Sequence, residues 1–409
     1  MFSRVRALPP YLLAEIDELK WRLRGEGRDV IDLCLGSPDL PPPPSACQAL
    51  VAGLAEGDSS RYMPSPGLPE LHQAVAAWYQ RRHGVSIDPA TQVAVTLGSK
   101  EGIAHLLQAC LDPGEGLLVP TPSYPVHHWG AVIAGAVPTF YRVDPGLDPV
   151  EEVRAALSRA AVPPRLIILN YPHNPSTAVV DAATMARLVA VAHEAGARVV
   201  SDLAYADLCF DGFAAPSALA VPGGSRAVEF STLSKGRSMA GWRVGFCVGD
   251  PELVGALKGI KRYLDYGMFK PLQRGAIAAL ADDAHGDQLA ATYQRRRDAL
   301  CAALGEAGWA VEAPRATMFV WARLPERIRT PSLALARELL TPPAWPSPPA
   351  RRSARQARVT CASASSRTSR ACARPPLASA ASSPSAGRPR PPCLPCAPAG
   401  ARCVSSACA

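Results

Sequence analysis

Between Val93 and Gly249 the chain repeats one pattern: a short apolar run, a polar loop, then a helical stretch. The runs are Val93-Ala-Val-Thr-Leu97, Gly116-Leu-Leu-Val119, Leu166-Ile-Ile-Leu169, Arg198-Val-Val-Ser201, Ala227-Val-Glu-Phe230 and Val244-Gly-Phe-Cys-Val248. Strands with apolar side chains on both faces of the pleat need cover on both faces, and helices packed on each side of a sheet supply it. The pattern predicts an α/β fold with a mostly parallel central sheet sandwiched by helices. Hydrophobic residues at 48% and charged residues at 19% are enough for a core and exclude a wholly disordered chain or a small disulfide-stapled scaffold. A length of 409 residues accommodates two or three units.

The flanking segments read differently. Residues 1–45 form an irregular arm ending in Asp39-Leu-Pro-Pro-Pro-Pro44, which can only be extended. Helical periodicity over 46–82 is broken at Ser65-Pro66-Gly67, and 251–304 is mainly helical. Trp309-Ala-Val311 and Met318-Phe-Val-Trp321 predict strands of a smaller α+β unit, followed by a helix at 332–340. The uncharged run Gly116 to Tyr141 contains four prolines and two histidines, so it reads as strand and loop rather than a membrane helix.

The formal charge of +8 looks like a nucleic-acid signal until it is located. Residues 342–409 hold ten arginines and no Lys, Asp or Glu, which leaves 33 basic against 35 acidic residues elsewhere. Neither a nucleic-acid nor a membrane partner is expected. From Thr341 onward Pro, Ser, Ala, Arg and Cys dominate; the change, directly after a helix, reads as a low-complexity tail or as a shifted reading frame in a GC-rich gene. With thirteen prolines and few large apolar residues, the tail is expected to be disordered. Its Cys393-Leu-Pro-Cys396 lacks a second pair or a nearby His, so no metal is expected. Cys34, Cys47, Cys110, Cys209, Cys247 and Cys301 are scattered through the body as single thiols, and the charged N-terminus is not a secretory signal, which together suggest a cytoplasmic enzyme.

The chemistry sits where the apolar runs end. Ser231-Thr-Leu-Ser-Lys-Gly-Arg-Ser-Met-Ala-Gly-Trp-Arg243 sets Lys235 between hydroxyl residues, with Arg243 eight positions on. A lysine that condenses with a carbonyl must lose its proton easily, and a nearby cation helps; hydroxyls and a guanidinium suit a phosphate. Asp202, in Ser201-Asp-Leu-Ala-Tyr-Ala-Asp207, follows one run, where it reads equally as a helix cap, and Tyr205 as plain core. Asn174 lies in Tyr171-Pro-His-Asn-Pro-Ser176 after another, a sequence that also suits an ordinary turn. Gly98-Ser-Lys-Glu-Gly102 opens a helix as an anion nest or as a structural turn. Tyr124, in Pro122-Ser-Tyr-Pro125, is a packed ring or a stacking platform.

Taken together these loops resemble the pyridoxal-phosphate-dependent aminotransferases of fold type I, class I/II. With Leu8-Pro-Pro-Tyr11 and Ser238-Met-Ala-Gly-Trp-Arg243 they are most similar to the bacterial glutamate–pyruvate (alanine) aminotransferases, over residues 2 to 340. The resemblance implies a transaminase moving an amino group between L-alanine or L-glutamate and a 2-oxo acid, with pyridoxal 5'-phosphate as cofactor. The alternatives are an aspartate- or diaminopimelate-type aminotransferase, a C–S lyase on the same fold, or a non-catalytic cofactor-binding product. It implies that Lys235 holds the cofactor aldehyde and moves the proton, that Asp202 pairs with the ring nitrogen, that Asn174 and Tyr205 bond the phenolic oxygen, and that Tyr124 stacks on the ring. Gly98, Ser99, Lys100, Thr232, Ser234 and Arg243 would hold the phosphate, joined by Tyr62 from the other subunit of a homodimer. Gly36 and Asn174 would contact substrate.

The implied organisation is an arm with part of the small domain (1–45), a large cofactor-binding domain (46–285), a partial small domain (286–341) and a non-family tail (342–409). Gly236-Arg237 stands where a Ser/Thr-aromatic pair is common, and Ser176 where Thr is usual. The family's small-domain arginine, which clamps the substrate α-carboxylate, has no counterpart strand in the tail, so a poor transaminase with an incomplete small domain is expected.

Overall fold

The computed structural model describes residues 6, 8, 12–33, 36–340 and 402–405. A helix α1 (Leu12–Gly25) and an extended arm lead into α2 (Pro44–Leu54) and α3 (Pro69–His83). The sheet is built from β1 (Val93–Thr96), β2 (Gly116–Thr121), β3 (Val137–Arg142), β4 (Pro164–Asn170), β5 (Arg198–Asp202), β6 (Ala227–Thr232) and β7 (Gly245–Gly249). Between and after these strands run α4 (Ser99–Cys110), α5 (Pro125–Ala134), α6 (Pro149–Ser158), α7 (Ala182–Glu194), the single turn α8 (Leu233–Gly236) and α9 (Pro251–Leu264). Strand order is β1-β7-β6-β5-β4-β2-β3; β7 is antiparallel to both neighbours and every other pairing is parallel.

Alternation along β4 explains the sandwich. Leu166 and Ile168 enter one core with Ile103, Leu106 and Leu107 of α4 and Leu253 and Leu257 of α9. Ile167 and Leu169 point the other way, into Val150 and Val153 of α6 and Leu188 and Val189 of α7. Each such fully buried side chain contributes on the order of 1.5–3 kcal/mol. The mostly parallel, helix-covered sheet expected from the apolar runs is therefore present.

The remaining described elements are α10 (Lys270–Ala281), the long α11 (Asp283–Glu306), β8 (Val320–Arg323) and α12 (Ser332–Leu340). Ile16 and Leu23 of α1 pack on Leu340 of α12, so the N-terminal helix closes against the smaller unit.

The structure corrects several local expectations. Gly116 to Tyr141 contains a helix, α5, as well as two strands, and β3 is a strand that the apolar-run pattern passes over. Pro138 lies in it, which an edge position allows because one side of that strand needs no partner. Trp309-Ala-Val311 is not a strand. The Trp309 indole instead donates to the Arg323 carbonyl at 2.8 Å and its ring packs beside Leu324 and Leu335, so this one side chain is used in packing rather than sheet pairing, while Ala310 stays exposed. Most of the tail lies outside the described residues, but the expectation that no tail arginine has a strand around it is corrected at Arg402. Its one described segment, β9 (Arg402–Ser405), pairs antiparallel with β8, so a free β8 edge is met by backbone hydrogen bonding that needs no particular sequence. No described helix is long and apolar enough to cross a membrane.

Candidate active site

The parallel strands place their C-terminal ends on one edge of the sheet. Thr96, Thr121, Asn170, Asp202 and Thr232 end β1, β2, β4, β5 and β6 there, and the reversed β7 starts from the same edge just after Arg243. The loops leaving this edge surround a cavity of about 310 Å³. Ser99, Lys100, Tyr124, Asn174, Asp202, Tyr205, Thr232, Ser234, Lys235, Arg243 and Gly36 all line it, as the sequence reading expects. Ser37, Ala204, Ala240 and Phe319 line it without having been anticipated.

One wall is shaped for a dianion. Gly98 has φ +82° and leads into α4, whose first turn has no side-chain cap. The site needs glycine here for its φ, and a Cβ on Gly98 would lie 2.4 Å from the Arg243 guanidinium and push it out of its place. Arg243 itself has φ 57° and is held by the Ala240 and Leu97 carbonyls, which accept at 3.0 and 3.2 Å. Thr232 Oγ1 donates to Ser234 Oγ at 2.9 Å, bringing two hydroxyls to the same wall. Helix N–H groups, a guanidinium and hydroxyls form an anion site of the kind a phosphate ester fits.

The opposite wall carries the carboxylate. Asp202 is buried; its Oδ2 accepts from His127 Nε2 at 2.8 Å and its Oδ1 from the Ala204 N–H at 3.3 Å. His127 is fully buried on α5, three residues after Tyr124, whose ring it meets edge-on at 5.5 Å. Sequence reasoning missed His127; the i, i+3 spacing from Tyr124 at a proline-started helix is the signal that could have found it. On the third side Asn174 Nδ2 donates to the Tyr205 hydroxyl at 3.3 Å, and Asn174 Oδ1 is buried with no protein partner. A buried acceptor left open in a cavity suits a ligand that brings its own donor.

Lys235 stands between these walls, with Nζ donating to the Gly36 carbonyl and lying 5.8 Å from the centre of the Tyr205 ring. Burial, and secondly the Arg243 charge, lower its pKa from the ordinary value of 10.5 to about 8, against the opposing pull of Asp202. At pH 7 the neutral fraction is then about a tenth, roughly 300-fold more than for an ordinary lysine. Cofactor-free protein should therefore take up its aldehyde at a rate that rises up to about pH 8 and flattens above it. A rate still climbing steeply at pH 9.5 would contradict the lowered value.

Two predicted residues lie apart. Gly98 shapes the cradle from outside the lining. Tyr62 is 85% exposed and does not line the cavity; its ring packs on Tyr266 at 4.9 Å. A cluster of metal-ligand type, Glu101, His105 and Asp265, lies elsewhere, and Lys261 already donates to Glu101 and Asp265 at 2.7 and 2.8 Å.

The model of the family "Aminotransferase class I and II" matches residues 28–374. The chain belongs to the class I and II aminotransferases. The match continues past Leu340, where the resemblance read from the sequence ends. A glutamate–pyruvate aminotransferase of Escherichia coli is 46% identical over 346 residues, covering 83% of each chain. An LL-diaminopimelate aminotransferase of Desulforudis audaxviator is 40% identical over 325 residues, covering 79% of this chain and 83% of its own. Among solved structures, substrate-bound BacF of Bacillus subtilis superposes with a TM-score of 0.77 at 34% identity, covering 83% of this chain and 86% of its own. The aminotransferase is a fold type I enzyme, and its cofactor is pyridoxal 5'-phosphate. That group supplies an aldehyde for the amino group and a ring that accepts electrons; the cavity's anion cradle, buried carboxylate and lowered-pKa lysine are of the chemistry that would suit its phosphate, ring nitrogen and aldehyde.

Proposed function

We propose that this aminotransferase exchanges an amino group between L-alanine or L-glutamate and the 2-oxo acids pyruvate and 2-oxoglutarate. The observation that carries this reading is the 46% identity to the Escherichia coli glutamate–pyruvate aminotransferase, against 40% to the diaminopimelate enzyme. In this reading Lys235 attaches the cofactor and moves the proton at the substrate Cα, Asp202 holds the ring nitrogen protonated, and Asn174 and Tyr205 bond the phenolic oxygen. Tyr124 stacks on the ring. Gly98, Ser99 and Lys100 offer backbone to the phosphate, while Thr232, Ser234 and Arg243 offer side chains. Gly36 and Asn174 contact substrate. The working unit is a homodimer in which Tyr62 reaches the partner's phosphate; a ring left 85% exposed, outside this chain's own cavity, supports this. The free thiols of Cys47, Cys110, Cys209, Cys247 and Cys301 suit a cytoplasmic setting.

Among the described residues Arg243 is the only arginine lining the cavity, and its place is with the phosphate. A second cation for the substrate carboxylate is what the family's small-domain strand would add, so turnover is expected to be low with the present tail. The test measures kcat/KM with 2-oxoglutarate for alanine, LL-diaminopimelate and aspartate, beside a version whose tail carries the arginine-bearing strand. Alanine should exceed diaminopimelate by at least about tenfold, a difference of roughly 1.4 kcal/mol in transition-state binding, and the restored tail should raise every value. A preference for diaminopimelate would replace the substrate assignment, and pyruvate release from a cysteine conjugate without 2-oxo acid would indicate the lyase. Equal values with either tail would remove the tail from the argument.

A further inference from the structure

Two residues after Lys235 a guanidinium is buried. Arg237 is 2% exposed. It donates from Nε to the Ala279 carbonyl at 3.0 Å, from one Nη to Asp207 Oδ2 and the Gly236 carbonyl at 3.0 Å each, and from the other Nη to Asp283 Oδ1 at 3.2 Å. Three elements meet on this one side chain: the end of α10, the first turn of α11, and the turn after β5. Asp207 also accepts from Arg82 at 3.0 Å.

The packing leaves no slack. A Cβ on Gly236 would lie 2.4 Å from Asp207 Cβ, and one on Gly286 would lie 2.1 Å from the Arg237 Nη. The Lys235–Gly236 turn is thus pressed flat against the Asp207 side chain. Asp207 lies two residues after Tyr205, in a turn closed by Leu208 N–H donating to the Tyr205 carbonyl at 3.0 Å. Lys235 and Tyr205 face each other across the cavity from these two touching turns.

We propose that Arg237, acting through Asp207, is a positioning residue that fixes the Tyr205 hydroxyl relative to Lys235. This rests on the aminotransferase reading of the site. A buried, multiply bonded guanidinium holds its partners in one geometry, as a side chain with fewer donors does not. Asp283 ties the same guanidinium to the first turn of α11, whose Leu289 and Tyr293 pack beside Tyr205 further along the helix, whereas Asp207 lies in the Tyr205 turn itself, so Asp283 is the less direct of the two acidic partners.

The test uses the cofactor-loaded enzyme and follows its visible absorbance against pH. A hydroxyl donating to the cofactor's phenolic oxygen draws off charge that would otherwise hold the proton on the neighbouring nitrogen. Loosening Tyr205 therefore raises the titration midpoint. Asp207→Asn should raise it by at least about half a unit, a threefold change in proton affinity, and lower kcat about tenfold with KM changed less than twofold. Asp283→Asn should keep the wild-type midpoint. If folded, loaded Asp207→Asn titrates like wild type, or if Asp283→Asn shifts equally, the proposal is overturned and the cluster is structural. Should Asp207→Asn fail to fold, Arg237→Gln decides. Its acidic partners are partly solvent-exposed, and an unmoved midpoint in that variant is equally fatal. A wild-type enzyme with no visible band that borohydride removes would instead refute the site reading itself.

Discussion

Lys235→Ala should bind cofactor without covalent attachment and lose transamination by on the order of 10⁴ or more. The expectation follows from position and protonation together. Lys235 lies between the anion cradle and Asp202, and burial with the Arg243 charge brings its amine to about 8. A neutral amine at physiological pH attacks an aldehyde readily and can later accept and return a proton; alanine does neither. The phosphate contacts proposed for Thr232, Ser234 and Arg243 do not depend on the lysine, so cofactor retention should persist, weakened, on dialysis. Borohydride treatment of the wild type should fix cofactor to the peptide containing residue 235, and treatment of the variant should fix none. Attachment at another lysine, with Lys100 of the same cavity the first to inspect, would move the catalytic assignment.

The site was legible in the sequence wherever a polar loop followed an apolar run. Asp202 and Thr232 each end a parallel strand, and Asn174 and Lys235 follow one closely; parallel strands bring all such ends to one edge. Period and topology therefore predicted convergence before any distance was known. His127 and Phe319 were not legible for the same reason. They enter from a helix and from the smaller unit rather than from a strand end; local spacing sets His127 one turn from Tyr124, but that it meets Asp202, and that Phe319 meets Tyr205, depends on packing between distant elements. Gly236-Arg237 was legible only as a departure; its meaning needs Asp207 and Asp283, which lie 30 and 46 residues away. At the periphery, β3 escaped notice because Pro138 lowers strand propensity, a penalty that an edge strand with one unpaired side does not feel. Trp309 to Val311 misled because one large side chain, Trp309, can pack on the smaller unit without its neighbours joining a sheet.

Asp202→Asn should keep the fold and the cofactor but lower kcat by on the order of 10²–10⁴, equivalent to roughly 3–5 kcal/mol of transition-state stabilisation. Asparagine matches the carboxylate in shape, and one oxygen can still accept from His127 Nε2, which now lies at 2.8 Å. What it lacks is charge. The pyridine nitrogen keeps its proton only beside an anion in a water-poor wall, and without that proton the ring is a weaker electron acceptor as the Cα–H bond breaks. The effect belongs to kcat rather than KM, because the substrate does not touch Asp202 in this reading. His127 makes the prediction sharper. It is fully buried and donates to the same carboxylate, so it orients Asp202 without supplying the charge. His127→Gln, which can still donate, should lower kcat by no more than about tenfold. The ordering is the decisive measurement: Asp202→Asn far below His127→Gln places the catalytic charge on the carboxylate. Equal losses would mean that the pair acts as a unit in which the imidazole matters as much, and near-wild-type turnover in Asp202→Asn would take this aspartate out of the mechanism.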